Sequence, residues 1–147
     1  MTGITDEFLR CGGYDPLTGK KRGTAREFRD VYLDFQTFCN ERANGRQLVL
    51  VAHNAKFDLG FLRAEAQRCG HQLVIQEPIC TLTLSRSLDP NKAHPHNLRQ
   101  LAIRYGITDV PNHDALADAI VTARLLPLLL AKANITNAGE LANIAVK

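Results

Sequence analysis

The chain has 147 residues, 45% hydrophobic and 22% charged, and its 18 basic and 15 acidic residues leave a formal charge of +3. That length holds one domain, with a core large enough to need no disulfide or structural metal. The balance excludes a disordered chain, no apolar run approaches the roughly 20 residues of a membrane span, and the start lacks the basic-then-apolar pattern of a leader.

Taken in order, Thr5–Arg10 offers a short helical turn, and 12–23 is a loop rich in glycine and charge. Gly13 and Gly19-Lys20 imitate a phosphate loop. The glycine spacing is one residue too long, Lys21 stands where Ser or Thr belongs, and no strand precedes it. Thr24 with Glu27 makes a capping box, opening a helix whose apolar face is Phe28, Val31, Phe35 and Phe38 and which ends near Asn44-Gly45. Leu48–Ala52 is a continuous apolar run and reads as a central strand buried on both faces. A helix follows over Phe57–Cys69, with Phe57, Phe61 and Ala64 on its apolar face and Gly70 as its stop. Leu73–Ile75 predicts a second strand, Thr81–Leu88 a helix, 89–97 a polar loop, and Leu98–Tyr105 a short helix ended by Gly106. The longest helix starts at His113 or Asp114 and runs to Ala133. Its apolar positions are Ala115, Ala119, Ala123, Leu126 and Leu130, and Pro127 should kink it. A last helical stretch covers Ala138–Ala145.

This inventory is unbalanced, because a central strand needs neighbours on both sides and only one other strand is offered. A two-stranded sheet is marginal, and its open edge is a template for aggregation. The expectation is that another chain completes the sheet or that residues belonging before Met1 are missing.

The charge is too mild to mark a nucleic-acid binder by itself, and without tryptophan there is little for a base-stacking platform. Cys11, Cys39, Cys69 and Cys80 form no C-x-x-C pair and read as reduced thiols of a cytoplasmic protein. His94-Pro95-His96 could be half a zinc site, but no cysteine stands within three residues of it, and Gly19–Arg22 could touch phosphate. The stronger set is Asp58, just past the buried strand at the start of the next helix, with Asp118 and His113 at the start of the longest helix. Ligands of open α/β sheets bind at that end of the strands. Two carboxylates and a histidine there suit a divalent metal and a general base, although each is also an ordinary helix-terminal residue.

Val51-Ala52-His53-Asn54-Ala55-Lys56-Phe57-Asp58-Leu59-Gly60-Phe61-Leu62 resembles the second motif of the DnaQ-like exonucleases. His113-Asp114-Ala115-Leu116-Ala117-Asp118-Ala119 resembles their third, the H-x-A-x-x-D-A form of the DEDDh branch. Cys80–Arg86 and Asn97–Ala102 fall where that family has its intervening helices, and Thr2–Thr5 is similar to its turn ahead of the first long helix. Members include the proofreading subunit of bacterial replicative polymerase, ribonuclease T and exonuclease X, to which Cys80–Arg86 and the tail are most similar. The resemblance implies an α/β, ribonuclease H-like fold and 3′→5′ removal of nucleotides with two magnesium or manganese ions. It implies Asp58 and Asp118 as metal ligands, His113 as the base and Asn54 as a residue positioning the terminal nucleotide. The implied partner is a nucleic-acid 3′ end, single-stranded DNA ahead of RNA, with a polymerase or a second copy of the chain beside it and no membrane.

One motif is absent. The family's D-x-E, on its first strand, supplies the other two carboxylates, and no two of the 15 acidic residues here are two apart. The chain therefore reads as a single exonuclease domain over 1–147 that lacks its first three strands, helix-rich with a small residual sheet. Activity of this chain alone should be lost or impaired, and a non-catalytic remnant that binds nucleic acid or protein is the alternative.

Overall fold

The computed structural model describes residues 26–46, 48–73, 78–108, 114–137 and 140. The expected turn at Thr5–Arg10, the loop at 12–23 and the cap residue Thr24 lie outside these residues, as do Val74 and Ile75 of the expected second strand. The chain divides into two units, Met1–Gly45 and Arg46–Lys147.

In the first unit, helix α1 spans Phe28–Ala43, with Glu27 as its N-cap and the left-handed Asn44 as its C-cap. Its less exposed residues are Phe28, Tyr32, Phe35, Gln36, Cys39 and Ala43, whereas Val31 and Phe38 are exposed. At about 100° per residue, Val31 and Phe38 lie roughly 60–80° round the helix from Phe28. The period expected for this helix holds, but the sheltered face is turned toward Tyr32, which stacks on Phe28 at 5.8 Å and accepts a hydrogen bond from Gln36 at 3.2 Å.

In the second unit, strand β1 (Val51–Ala52) pairs in parallel with β2 (Ile79–Cys80), Val51 opposite Ile79 and Ala52 opposite Cys80. The expected strand over Leu48–Ala52 is thus shorter, and Leu48 and Val49 are exposed rather than buried on both faces. Among the described residues β2 is the only strand beside β1, so the start of the apolar run has no ladder to join. The second strand lies at Ile79–Cys80; Leu73 is not part of a strand. Parallel strands need a crossover, and helix α2 (Ala55–Arg68) supplies it.

Helix α2 packs on both strands, with Ala55 clustered against Cys80 and Ala52, and its buried residues are Ala55, Leu59 and Ala66. Phe57 (73% exposed), Phe61 (57%) and Ala64 occupy the opposite side, which corrects the expected core face. The helix ends as expected at Gly70, which takes φ +74°. His71 N–H bonds to Ala66 O at 2.9 Å and Gly70 N–H to Gln67 O at 3.0 Å, a Schellman closure.

Helices α3 (Thr81–Ser87), α4 (Leu98–Arg104) and α5 (Ala115–Lys132) form the main core. It gathers Leu84, Leu101, Ala102, Ile107, Val121, Leu125 and Leu129. Asn97 caps α4 by accepting from Gln100 N–H at 3.0 Å, and Asp114 caps α5 by accepting from Leu116 and Ala117 N–H at 3.1 and 3.0 Å. The buried face of α5 is Val121, Thr122, Leu125 and Leu129; of the expected face, Leu126 and Leu130 pack partly buried against this core, whereas Ala115, Ala119 and Ala123 are exposed. Larger side chains bury more apolar area per residue, so the leucines of α5 turn to the core and the expected alanines do not. The helix continues through Pro127. At the expected last helix, Asn137 accepts from Glu140 N–H at 3.0 Å and Glu140 accepts from Thr136 N–H at 2.7 Å; residues 141–147 lie outside the described ones.

Candidate active site

Both strands point the same way, so both hand the chain to a helix at the same end of the sheet. After β1 come His53 and Asn54 and then α2; after β2, Thr81 opens α3 at once. Asn54 is the N-cap of α2 with φ 74° and ψ 47°, a left-handed conformation that asparagine tolerates better than most residues. Its carbonyl accepts from Phe57 N–H at 2.9 Å, closing the first turn in which Asp58 sits.

Asp118 occupies the first turn of α5, a helix that packs against β1. The spacing 118, 121, 125, 129 puts it on the same side of α5 as Val121, Leu125 and Leu129, so the face that makes the core also turns this carboxylate inward. Its Oδ1 is buried and, among the described residues, has no hydrogen-bond partner. Asp114, four residues earlier, spends its carboxylate on capping. A buried acceptor without a donor is costly.

His53 connects these pieces. Its Nδ1 lies 3.0 Å from Thr81 Oγ1, and the main chain of His96 hydrogen-bonds to its ring. Burial pushes the imidazole below its ordinary pKa and Arg86 adds to this, opposed by the His96 bond and by the negative charges of Asp118 and Asp58. One half-buried ring therefore feels both carboxylates. Cys80, buried in the strand opposite Ala52, has a thiol whose burial would raise its pKa; Thr83 and the main chain of Ala55 and Asn54 outweigh this and hold it lower.

His94 and His96 do not behave as half a zinc site. Both turn to Asp89: His94 Nδ1 is 3.4 Å and His96 Nε2 3.3 Å from Asp89 Oδ2, and the same carboxylate accepts from the Ala93 and His94 N–H groups at 3.1 and 2.9 Å. Those N–H groups hold the Asp89 carboxyl below the usual carboxylate range. His96 Nδ1 also meets Ser85 Oγ at 3.1 Å, but Ser85 is buried and bonded to Leu82 O at 2.9 Å, so the trio is a strut for the 89–97 loop and not a nucleophile.

The structure thus brings Asn54 and Asp58 to one strand end and Asp118 within electrostatic reach of the same histidine; His113 and the expected basic loop at Gly19–Arg22 lie outside the described residues. Among the described residues, no group of three His, Cys, Asp or Glu side chains is arranged to hold an ion, and no helix is long and apolar enough to cross a membrane. Sequence reasoning missed His53 and Thr81, whose only signal was a polar residue directly after each strand.

Comparison with known proteins gives a family model described as an exonuclease, matching residues 3–126. DNA polymerase III of the PolC type from Streptococcus suis is 37% identical over 145 residues, covering 96% of this chain and 8% of that protein. The proteins of the same description from Streptococcus sanguinis and Streptococcus mutans are 37% and 35% identical, over 86% and 90% of this chain and 7% and 8% of their own length. The chain thus spans less than a tenth of these relatives. No solved structure matches it.

Proposed function

The chain belongs to the DnaQ-like exonuclease family, and from that premise we propose that it is part of a DEDDh 3′→5′ exonuclease acting on DNA. In this reading Asp58 and Asp118 hold divalent ions, His113 is the base and Asn54 positions the terminal nucleotide. The observation that carries it is the buried, donorless Oδ1 of Asp118, on a helix packed against the strand that leads to Asn54 and Asp58. Carboxylate oxygens fit magnesium or manganese, which are hard cations. Such ions would supply charge stabilisation to the attacking and leaving oxygens of an in-line displacement.

The remaining work falls to the chain itself. An imidazole titrates near neutral pH, so His113 accepts the proton of the attacking water and releases it afterwards. The name carried by the relatives, a DNA polymerase, favours a DNA 3′ end over RNA, a polymerase beside this domain, and a cytoplasmic setting. A second reading, a binding module without turnover, is favoured by one observation: the sequence holds no D-x-E to complete the four carboxylates.

A 5′-labelled single-stranded oligonucleotide with magnesium or manganese separates the two. Half of the ligand set is missing from the chain alone, and losing about 4 kcal/mol of transition-state stabilisation is roughly a thousandfold in rate. We expect little or no shortening by the 147 residues. Extension upstream by a strand carrying D-x-E should give 3′ shortening, which His113→Ala should abolish. An extended chain that binds DNA and never shortens it would leave the binding module standing. Robust shortening by the chain alone would mean that other residues supply the missing carboxylates.

A further inference from the structure

The turn that carries Asn54 and launches Asp58 is closed by one backbone bond, Phe57 N–H to Asn54 O. Asn54 lacks a side-chain capping bond and sits in the left-handed region, a conformation that persists only when its surroundings impose it. What surrounds it comes from the end of β2. The register Ala52 opposite Cys80 brings the next residues, His53 and Thr81, level with one another. Thr81 is completely buried. A buried hydroxyl must find partners, and both of those found for it belong to this turn: His53 Nδ1 at 3.0 Å and Ala52 O at 3.4 Å.

We infer that Thr81 is a positioning residue: its hydroxyl, set between His53 Nδ1 and the Ala52 carbonyl, fixes the His53–Asn54 turn in the conformation from which α2 starts, and so sets the direction of Asp58. The neighbouring Cys80 is buried in one cluster with Ala55, the first residue of α2 after the turn. Thr81, the first residue after β2, thereby acts as a clasp on a turn 28 residues away in sequence. The consequence for the site rests on the exonuclease reading above; the clasp itself does not.

The test uses the whole chain and two readouts: amide hydrogen exchange at Phe57, whose N–H closes the turn on Asn54 O, and titration with manganese followed by electron paramagnetic resonance. Thr81→Val keeps the shape and removes the hydroxyl. It should speed exchange at Phe57 about tenfold, the effect of losing one buried hydrogen bond, and leave the amide of Leu125 in the main core unchanged. Manganese affinity should fall by a similar factor, and Thr81→Ser should restore both. If Thr81→Val does not fold, His53→Phe, which removes the ring nitrogens and leaves Thr81 in place, must loosen the same amide. Wild-type exchange at Phe57 in Thr81→Val, or a Thr81→Ser variant as loose as Thr81→Val, overturns the clasp. A wild-type chain that binds no manganese overturns the metal reading alone, because the exchange data still decide the clasp.

Discussion

Replacing Asp118 with alanine should stabilise the metal-free chain and destroy its response to metal. The carboxylate Oδ1 is buried without a donor, and an unsatisfied buried acceptor costs about 1–3 kcal/mol. Alanine also gains about 0.5 kcal/mol of helix propensity over aspartate. Against this stands the favourable position of a negative charge in the first turn of α5, about 0.3–1 kcal/mol. The net expectation is a gain of about 1 kcal/mol or slightly more, which for a chain of this size raises Tm by about 2–4 °C. With manganese at about 100 times Kd the order should reverse, because the wild type gains about 2.7 kcal/mol from the bound ion and the variant gains none. Thermal unfolding followed by circular dichroism, in EDTA and in manganese, reads both limbs. An Asp118→Ala variant that is less stable in EDTA, or that manganese stabilises as much as the wild type, refutes the idea that this carboxylate is held in readiness for a cation.

Burial lowers the His53 pKa from its ordinary 6.5, so the folded chain binds fewer protons than the unfolded one. Stability present above about pH 6.5 should therefore decline as pH falls through the folded value. His53→Gln should flatten the dependence of Tm on pH over that window, and equal slopes for the two proteins would contradict it. Asp114→Ala removes both capping bonds of α5 and should cost about 0.5–2 kcal/mol in urea unfolding, with no recovery in manganese, because Asp114 is a cap and not a ligand.

Helix ends were legible because they depend on single residues. Gly70 and Gly106 stop α2 and α4 where the sequence placed them, each at positive φ, and Thr81 and Leu98 begin α3 and α4 as expected. Helix faces were less legible, because a face is settled by what it meets. Phe57 and Phe61 are the bulkiest apolar residues of α2, yet Ala55, Leu59 and Ala66 are the ones buried. The strands themselves were poorly legible: Leu48–Ala52 has more apolar residues than the pairing uses, and Ile79–Cys80 is too short to show any alternation. At the site, Asp58 and Asp118 stood out because each opens a helix. The contact of His53 with Thr81 joins segments 28 residues apart, and no local pattern announces it.

Pro127 divides α5 mechanically. It has no N–H to return to Ala123, and both residues face solvent, so water can serve the carbonyl at a joint between two halves of the helix. Asp118, Val121 and Leu125 all lie on the N-terminal side of that joint, with Leu129 beyond it. The segment that carries the carboxylate is thus anchored by two core residues of its own, and Leu129 anchors the segment beyond Pro127 in the same core. Because the missing bond falls after Val121 and Leu125, the end of the helix that aims the carboxylate keeps its own footing in the core without it.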